Sequence, residues 1–472
     1  MIFNSLDYAA FLLIVLPLYY LLPHRAQNGM LLVASYIFYG WWDWRFCSLL
    51  ALSTGVDYFV ASRIPRAEPE HRQRWLMISL VVNLGVLGFF KYFNFFIDSF
   101  QGLFQLLGWT ADWPTLHIIL PMGISFYTFQ TLSYTIDVYR GEKPAQDLLS
   151  FALYVAFFPQ LVAGPIERAG RLLGALENPR TVTRQNLRDG AWLILMGMFR
   201  KVVIADTAAG FATKCFSAPE QHSSIALLIG LYLFSLQIYA DFAGYSEIAR
   251  GTALLLGVEL VVNFRQPYFS KNITEFWRRW HISLSSWLRD YLYISLGGNR
   301  KGVRRTYVNL MLTMLLGGLW HGANWTFVVW GGMHGTYLAV HKWLMGWVQE
   351  VKDHWLVSFA KMVVTFNLVA LTWIFFRAAD FAHAWSYLTG MMALRGPWLA
   401  LGEPTLILEP AVSLVLLTFC LLMLDIPIAA ADDHTVVNRW PWVWRGVLIA
   451  FLVLEIMLFS GGDDVPFIYF QF

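Results

Sequence analysis

Apolar runs punctuated by short polar turns recur along almost the whole chain, at residues 8–23, 28–51, 75–90, 98–109, 147–165, 190–205, 223–240, 307–340, 357–376, 408–428 and 442–460. An α-helix needs roughly 20 mostly apolar residues to cross a bilayer core. Allowing for splits and merges, the pattern predicts about ten to twelve spans and an all-α, polytopic integral membrane protein. The first run has no basic segment before it and no small-residue cleavage site after it, so it reads as a retained span and not a signal peptide. No clear internal repeat, long linker or low-complexity tract divides the sequence, which reads as a single integral domain over 1–472.

Composition agrees with that pattern. Of the 472 residues, 57% are hydrophobic and only 14% charged, against about 25% charged in soluble proteins. Cys47, Cys215 and Cys420 are widely spaced and form no CxxC, so neither a disulfide framework nor a metal site follows from them. The net charge of +3 says little about partners, because the charges gather in a few loops. Three basic clusters stand out, at 63–74, 168–188 and 265–305. The positive-inside rule places these loops in the cytoplasm, and Asp112, Asp463 and Asp464 are placed outside.

The richest basic cluster lies in an insertion at about 261–306, which reads as more than a loop. From Glu275 the sequence runs EFWRRWHISLSSWLRDYLYISLGG. Trp277, Trp280, Leu284, Trp287, Leu288 and Tyr291 recur at helical spacing and predict one apolar face. Arg278, His281, Ser285 and Arg289 line a second face, and Gly297 and Gly298 stop the helix. Such an amphipathic helix can lie in the membrane interface. The arginines beside His281 are expected to lower its pKa and keep it neutral.

Thr306 to His341 contains no Asp, Glu, Lys or Arg, yet His321 sits near its middle, in Leu-Trp-His-Gly-Ala-Asn. Polar groups at membrane depth are costly enough to count as functional candidates, and imidazole exchanges protons near neutral pH. A buried, hydrogen-bonded structural histidine accounts for a lone intramembrane His equally well. Gly317, Gly318, Gly322 and Asn324 tip the balance, because glycines admit close approach and Asn324 adds a polar group. The charge-free stretch is also too long for one straight span, so a bend or a second span is expected near these glycines.

The basic strip carries two compatible readings. Arginines hold the loop inside, and Arg278, Arg279 and Arg289 could also form an anion site, since guanidinium forks match phosphate. Acetyl-coenzyme A carries a diphosphate and a third phosphate, and Trp280 could stack on its adenine. Gln237, Asp241 and Tyr245 share a helix face in LQIYADFAGYSEIARG. For Asp241, near one end of a span, pairing with an arginine or capping a helix outweighs catalysis. No P-loop, dinucleotide fingerprint, HExxH or GxSxG context appears, which argues against a nucleotide-driven pump, a zinc protease and a lipase-type enzyme.

These same segments resemble the membrane-bound O-acyltransferase (MBOAT) family, in its bacterial exopolysaccharide-acetylating branch. The resemblance rests on VASYIFYGWW at 33–42, PMGISFYTFQTLSYTIDVYRG at 121–141, FFPQLVAGPIER at 157–168 and YADFAGYSEIARG at 239–251. Its most specific parts are QPYFSKNITEFWRRWHISLSSWLRDYLYISLGGNR at 266–300 and LTMLLGGLWHGANWTFVVWGGMHG at 312–335. Beyond about 340, hydrophobic character and WIFFR at 373–377 are what match. The teichoic-acid D-alanylation branch is similar around both histidines, whereas DVYRGE and the uninterrupted WLRDYLYISLGGNR favour the polysaccharide branch.

The resemblance implies a helical assembly around a membrane tunnel, with His321 as the catalytic histidine and His281 as the second. It implies acetyl transfer to an extracytoplasmic hydroxyl, in a multi-pass protein of the bacterial inner membrane, and the basic strip points to acetyl-coenzyme A as the cytoplasmic donor. Arg278, Arg279, Arg289, Trp280, Asn324, Asp241 and Tyr245 are the candidate substrate contacts, with no metal and no tightly bound cofactor. A periplasmic SGNH-like acetyltransferase of the same pathway is the implied partner, with the polysaccharide reached indirectly, lipid around the protein and no nucleic acid. Alginate is the first choice of polymer and bacterial cellulose the second. A transporter of an acetylated intermediate and an export scaffold are the rival classes. The first lacks its usual internal repeats, and the second leaves His321 unexplained.

Overall fold

The computed structural model describes residues 1–109, 113–347, 354–393, 405–460 and 466–468. Asp112, Asp463 and Asp464 lie outside the described residues. Every regular element among the described residues is helical. The helices form two compact units, Met1–Ala191 with Ala249–Val261, and Trp192–Ile248 with Val262–Phe472.

The first unit contains α1 (Leu6–Leu21), α2 (His24–Asp43), α3 (Cys47–Arg63), α4 (Pro69–Leu87), α5 (Phe93–Leu106), α6 (Ile124–Tyr139), α7 (Leu148–Ala156), α8 (Phe158–Leu161), α9 (Ala169–Glu177) and the start of α10 (Arg184–Phe199). Helix α1 opens on Ser5, whose hydroxyl accepts from the Tyr8 amide, satisfying one of the unpaired donors of a helix N-terminus. Gly123 opens α6 at φ +74°, where a Cβ would also sit 2.8 Å from the Leu161 carbonyl oxygen, so the turn requires glycine. Asp57 is buried among polar groups of α3, α4 and α6. Its carboxylate accepts from Ser79, Asn83 and Thr135, which meets the requirement that a buried polar group be hydrogen-bonded.

The second unit holds the rest of α10, then α11 (Asp206–Ser217), most of α12 (Ser224–Leu255), α13 (Ile273–Arg279), α14 (Ile282–Trp287), α15 (Val303–His321), α16 (Trp325–Met345), α17 (Trp355–Arg377), α18 (Phe381–Met392), α19 (Thr405–Ala431) and α20 (Trp442–Phe459). Helices α10 and α12 touch backbone to backbone. A Cβ on Gly197 would lie 2.5 Å from the Gly244 carbonyl oxygen. Beside that contact are paired, buried charges. Arg200 meets Glu247 at 3.1 Å and Asp425 at 2.7 Å, and donates to the Tyr239 hydroxyl at 3.2 Å. Removing one partner from such a cluster strands the others in a low dielectric.

Among the described residues, five stretches are long and apolar enough to cross a membrane: Pro69–Leu106, Ser224–Leu255, Trp355–Arg377, Leu408–Ala431 and Trp442–Phe459. The most apolar window of α20 is only 11% buried inside the protein, and that of α12 is 78% buried. An apolar helix that the protein leaves uncovered fits a lipid environment. Helices α15 and α16, of 19 and 21 residues, are also of membrane length at about 1.5 Å per residue. Asn309, Thr313, Gly318, Gly331 and His334 make them less hydropathic than the five.

Candidate functional site

The charge-free stretch folds as a helical hairpin. Helix α15 ends on His321, the chain turns through Gly322–Asn324, and α16 runs back. The break falls at the glycines where the sequence predicts it. Backbone contact holds the two helices together. A Cβ on Gly318 would lie 2.2 Å from the Phe327 carbonyl oxygen, and one on Gly331 would lie 2.2 Å from that of Met314.

That contact sets His321 in an aromatic cage. Its ring centroid is 5.1 Å from Trp320, 5.0 Å from Trp330 and 5.3 Å from Phe376. The residue is 5% exposed. One turn along α16 stands His334, fully buried, with its ring 4.8 Å from Trp330 and 5.0 Å from Trp277. The Thr372 hydroxyl donates to the Val369 carbonyl at 2.7 Å, so at 3.0 Å it accepts from His334 Nε2. That leaves the lone pair on Nδ1, which has no hydrogen-bond partner among the described residues. Sequence reasoning missed His334. It lies in the same charge-free stretch, four residues after Trp330, at the spacing that places it on the same helix face.

His281 arrives differently from the expectation. The predicted continuous helix is broken. Helix α13 ends at Arg279, Trp280 is extended at φ −100°, and His281 caps α14 in the left-handed region at φ +42°. His281 therefore shares no helix face with Arg278 and Arg289, and it is fully buried. The cause lies upstream. The Ile282 amide donates to the Asn263 carbonyl at 2.9 Å and the Ser283 amide to its side-chain oxygen at 3.2 Å. Just before the break, the Arg265 amide donates to the Arg279 carbonyl at 3.0 Å. Burial pushes the His281 imidazole down, to about 3, and the arginines expected to do so are not the cause. Trp320 stands beside both histidines, 6.1 Å from His281 and 5.1 Å from His321.

A cleft of about 690 Å³ opens between α13, α14, α15 and α16. Arg278, Arg289, Lys342 and His341 line it, together with Thr274, Trp277, Ser285, Tyr293 and Asn299. A volume of that size suits an extended small molecule, and the cationic rim suits phosphate. Along one face of α16, Trp330, His334, Leu338 and His341 follow one another at helical spacing, so a single stripe joins the His321 cage to the cleft. Across from it, the Thr274 hydroxyl meets His341 Nδ1 at 3.0 Å.

The remaining candidates fall elsewhere. Arg279 pairs with Glu275 at 2.6 Å and does not line the cleft. Trp280 is buried between Phe276, Phe264 and Trp373 and does not reach it either. Trp277 is the tryptophan on the cleft wall. Asn324 accepts from the Thr326 amide at 3.0 Å and donates to the Ala379 carbonyl at 2.7 Å. Its amide is thus engaged in capping α16 and tying down the turn after α17. Asp241 stands in mid-helix rather than near a helix end. Its partners are Lys201 at 3.0 Å, not an arginine, and the Ile468 amide at 2.7 Å. Tyr245 stacks on Phe467 at 4.4 Å, so these two residues of α12 hold the 466–468 segment.

Comparison with known proteins adds independent information. The sequence model of the membrane-bound O-acyltransferase family matches residues 145–373. The chain is 41% identical to a probable alginate O-acetylase of Pseudomonas putida over 98% of both chains. It is 47% identical to the Pseudomonas aeruginosa protein of the same description over 82% of this chain and 74% of that one. A peptidoglycan O-acetyltransferase of Helicobacter pylori is 37% identical over 80% of this chain and 77% of its own.

Proposed function

The chain belongs to the membrane-bound O-acyltransferase family, and from that premise we propose that it passes acetyl groups from acetyl-coenzyme A across the bacterial inner membrane for alginate O-acetylation. The observation that carries the reading is the α16 stripe, which leads from a phosphate-suited cationic cleft to His321 at the hairpin turn. The donor's phosphates lie against Arg278, Arg289 and Lys342, and its thioester reaches toward His321. His321 takes the proton of the acceptor hydroxyl as the oxygen attacks the thioester carbon. The C–O bond forms, the C–S bond breaks, and the proton passes to the departing thiolate. General-base help of this kind contributes about 10²–10⁴ in rate. Neutral, buried His281 lines the same aromatic interior and orients the reacting groups. The immediate acceptor is a hydroxyl on an extracytoplasmic partner, an SGNH-like acetyltransferase that esterifies the polymer.

The test is the ester-acetate content of exopolysaccharide from cells lacking the protein, complemented with wild type or His321→Ala at matched membrane abundance. Acetate restored by wild type alone supports the reading, and the esterified sugar names the polymer. Equal restoration by the variant overturns the role of His321.

A further inference from the structure

His434 follows α19 in a short turn and is nearly buried. Its carbonyl accepts from the Trp192 indole at 2.9 Å. Its ring faces two acceptors. Nε2 lies 3.1 Å from the Phe264 carbonyl oxygen, and a carbonyl only accepts, so Nε2 carries a hydrogen. Nδ1 lies 3.3 Å from Glu247 Oε1, while Glu247 Oε2 pairs with Arg200. The approach of Nδ1 to Glu247 is an ion-pair distance, and a carboxylate that close favours the charged imidazole.

Charge balance points the same way. With that proton, Arg200 and His434 offset Glu247 and Asp425. Without it, Arg200 alone meets the two buried carboxylates, an imbalance that is costly away from water. Of the carboxylates beside His434 in its own turn, Asp433 pairs with Arg439 at 2.7 Å and Asp432 with Arg265 at 3.1 Å.

The carbonyl that His434 holds belongs to the stretch bracing His281. Asn263, next to Phe264, binds the first amides of α14, and Arg265, on its other side, binds the last carbonyl of α13. The Phe264 ring packs 5.1 Å from Trp280 and 6.4 Å from His281. His281 is held in a left-handed conformation that disfavours a side chain, so the brace is what keeps it there.

We propose that protonated His434 is a positioning residue for His281, tying Glu247 to the 263–265 brace, so that acetyl transfer falls as rising pH removes its proton. This rests on the reading that His281 belongs to the transfer site. The experiment measures thiol release from acetyl-coenzyme A by inverted membrane vesicles of polymer-producing cells across neutral and alkaline pH. It compares wild type, His434→Gln and Glu247→Gln. Hydrogen exchange over residues 280–288 of the purified full-length protein is followed at one pH.

The expected result for His434→Gln is a kcat lowered about tenfold, less than the order of 10²-fold that a full displacement of about 1 Å at a reacting centre costs, an unchanged donor KM and no alkaline limb. Exchange over 280–288 rises in this variant while α15 is unchanged. Glu247→Gln, which removes the partner of the proton, moves the limb to lower pH. A folded His434→Gln protein with the wild-type limb and wild-type exchange overturns the proposal. Should that variant be lost from the membrane, an unmoved limb in Glu247→Gln overturns it instead. If wild type releases no thiol, the donor reading has failed, and the exchange comparison alone decides the role of His434.

Discussion

Gly331→Ala separates the geometry of the α15–α16 contact from the chemistry around it. A Cβ at this position lies 2.2 Å from the Met314 carbonyl oxygen and 3.3 Å from Gly318 Cα. Both neighbours are helix backbone, so relief requires the helices to part by roughly 1 Å before ordinary van der Waals contact returns. Overpacking of this kind costs about 1–3 kcal/mol. His321 ends α15 and Trp330 precedes Gly331, so the same displacement opens the 5.0 Å contact between their rings. A shift of about 1 Å at a reacting centre can cost on the order of 10²-fold in rate.

Gly332→Ala is the control. Its Cβ meets Leu315 Cδ2 at 3.4 Å, an ordinary contact, and both substitutions gain the same helix propensity of about 1 kcal/mol. Polymer ester acetate at matched membrane abundance, and the melting temperature in detergent, are the readouts. Gly331→Ala is expected to melt lower and to lose most transfer, with Gly332→Ala at or above wild type in both. Indistinguishable variants would refute the claim that close backbone approach positions His321.

Three further outcomes follow from the geometry. Arg278→Ala and Arg289→Ala each raise the KM for acetyl-coenzyme A by about 10- to 100-fold, as loss of a charged hydrogen bond of about 1.5–3 kcal/mol requires, while Arg279→Ala leaves it unchanged; thiol release against donor concentration measures all three. Asn263→Ala removes the acceptor that caps α14, costing about 1–2 kcal/mol, and lowers kcat more than it changes KM in the same assay. Arg200→Met strands Asp425 without its cation and leaves Glu247 with His434 alone, costing about 3–5 kcal/mol, and is read as loss of folded protein from the membrane.

Much of the fold was legible because a membrane enforces a simple rule: long apolar runs become helices. The break between α15 and α16 was legible too, since a charge-free run too long for one span met a cluster of glycines. The break at Trp280–His281 was not. Trp277, Trp280, Leu284 and Leu288 keep helical spacing across it, so local periodicity reads straight through. Asn263, which supplies the acceptors that start α14, and Arg265, whose amide donates to the last carbonyl of α13, lie 18 and 16 residues before His281, outside any local pattern. Read as one helix, the segment sets His281 beside the arginines and offers Trp280 as the adenine contact, whereas the structure buries His281 and puts Trp277 on the cleft wall. Asp241 was read as structural, but its partner Lys201 is 40 residues away, and no spacing rule could single out that lysine among the basic residues. His334 gives no comparable signal of its own, since the glycines and the break that mark His321 lie ten or more residues before it.

Trp277 has one face of its surroundings on the cleft and the other against His334 and Trp330. It is thus a partition between the open cleft and the place where, on the proposed function, a thioester would react. An acyl donor in contact with bulk water and an activated base would be hydrolysed without purpose, and excluding that water is a recognised task of enzyme interiors. The indole therefore bears on coupling more than on speed. Thinning this wall would let thiol release outrun ester formation, so the ratio of the two products, rather than either rate, reports whether the partition is intact.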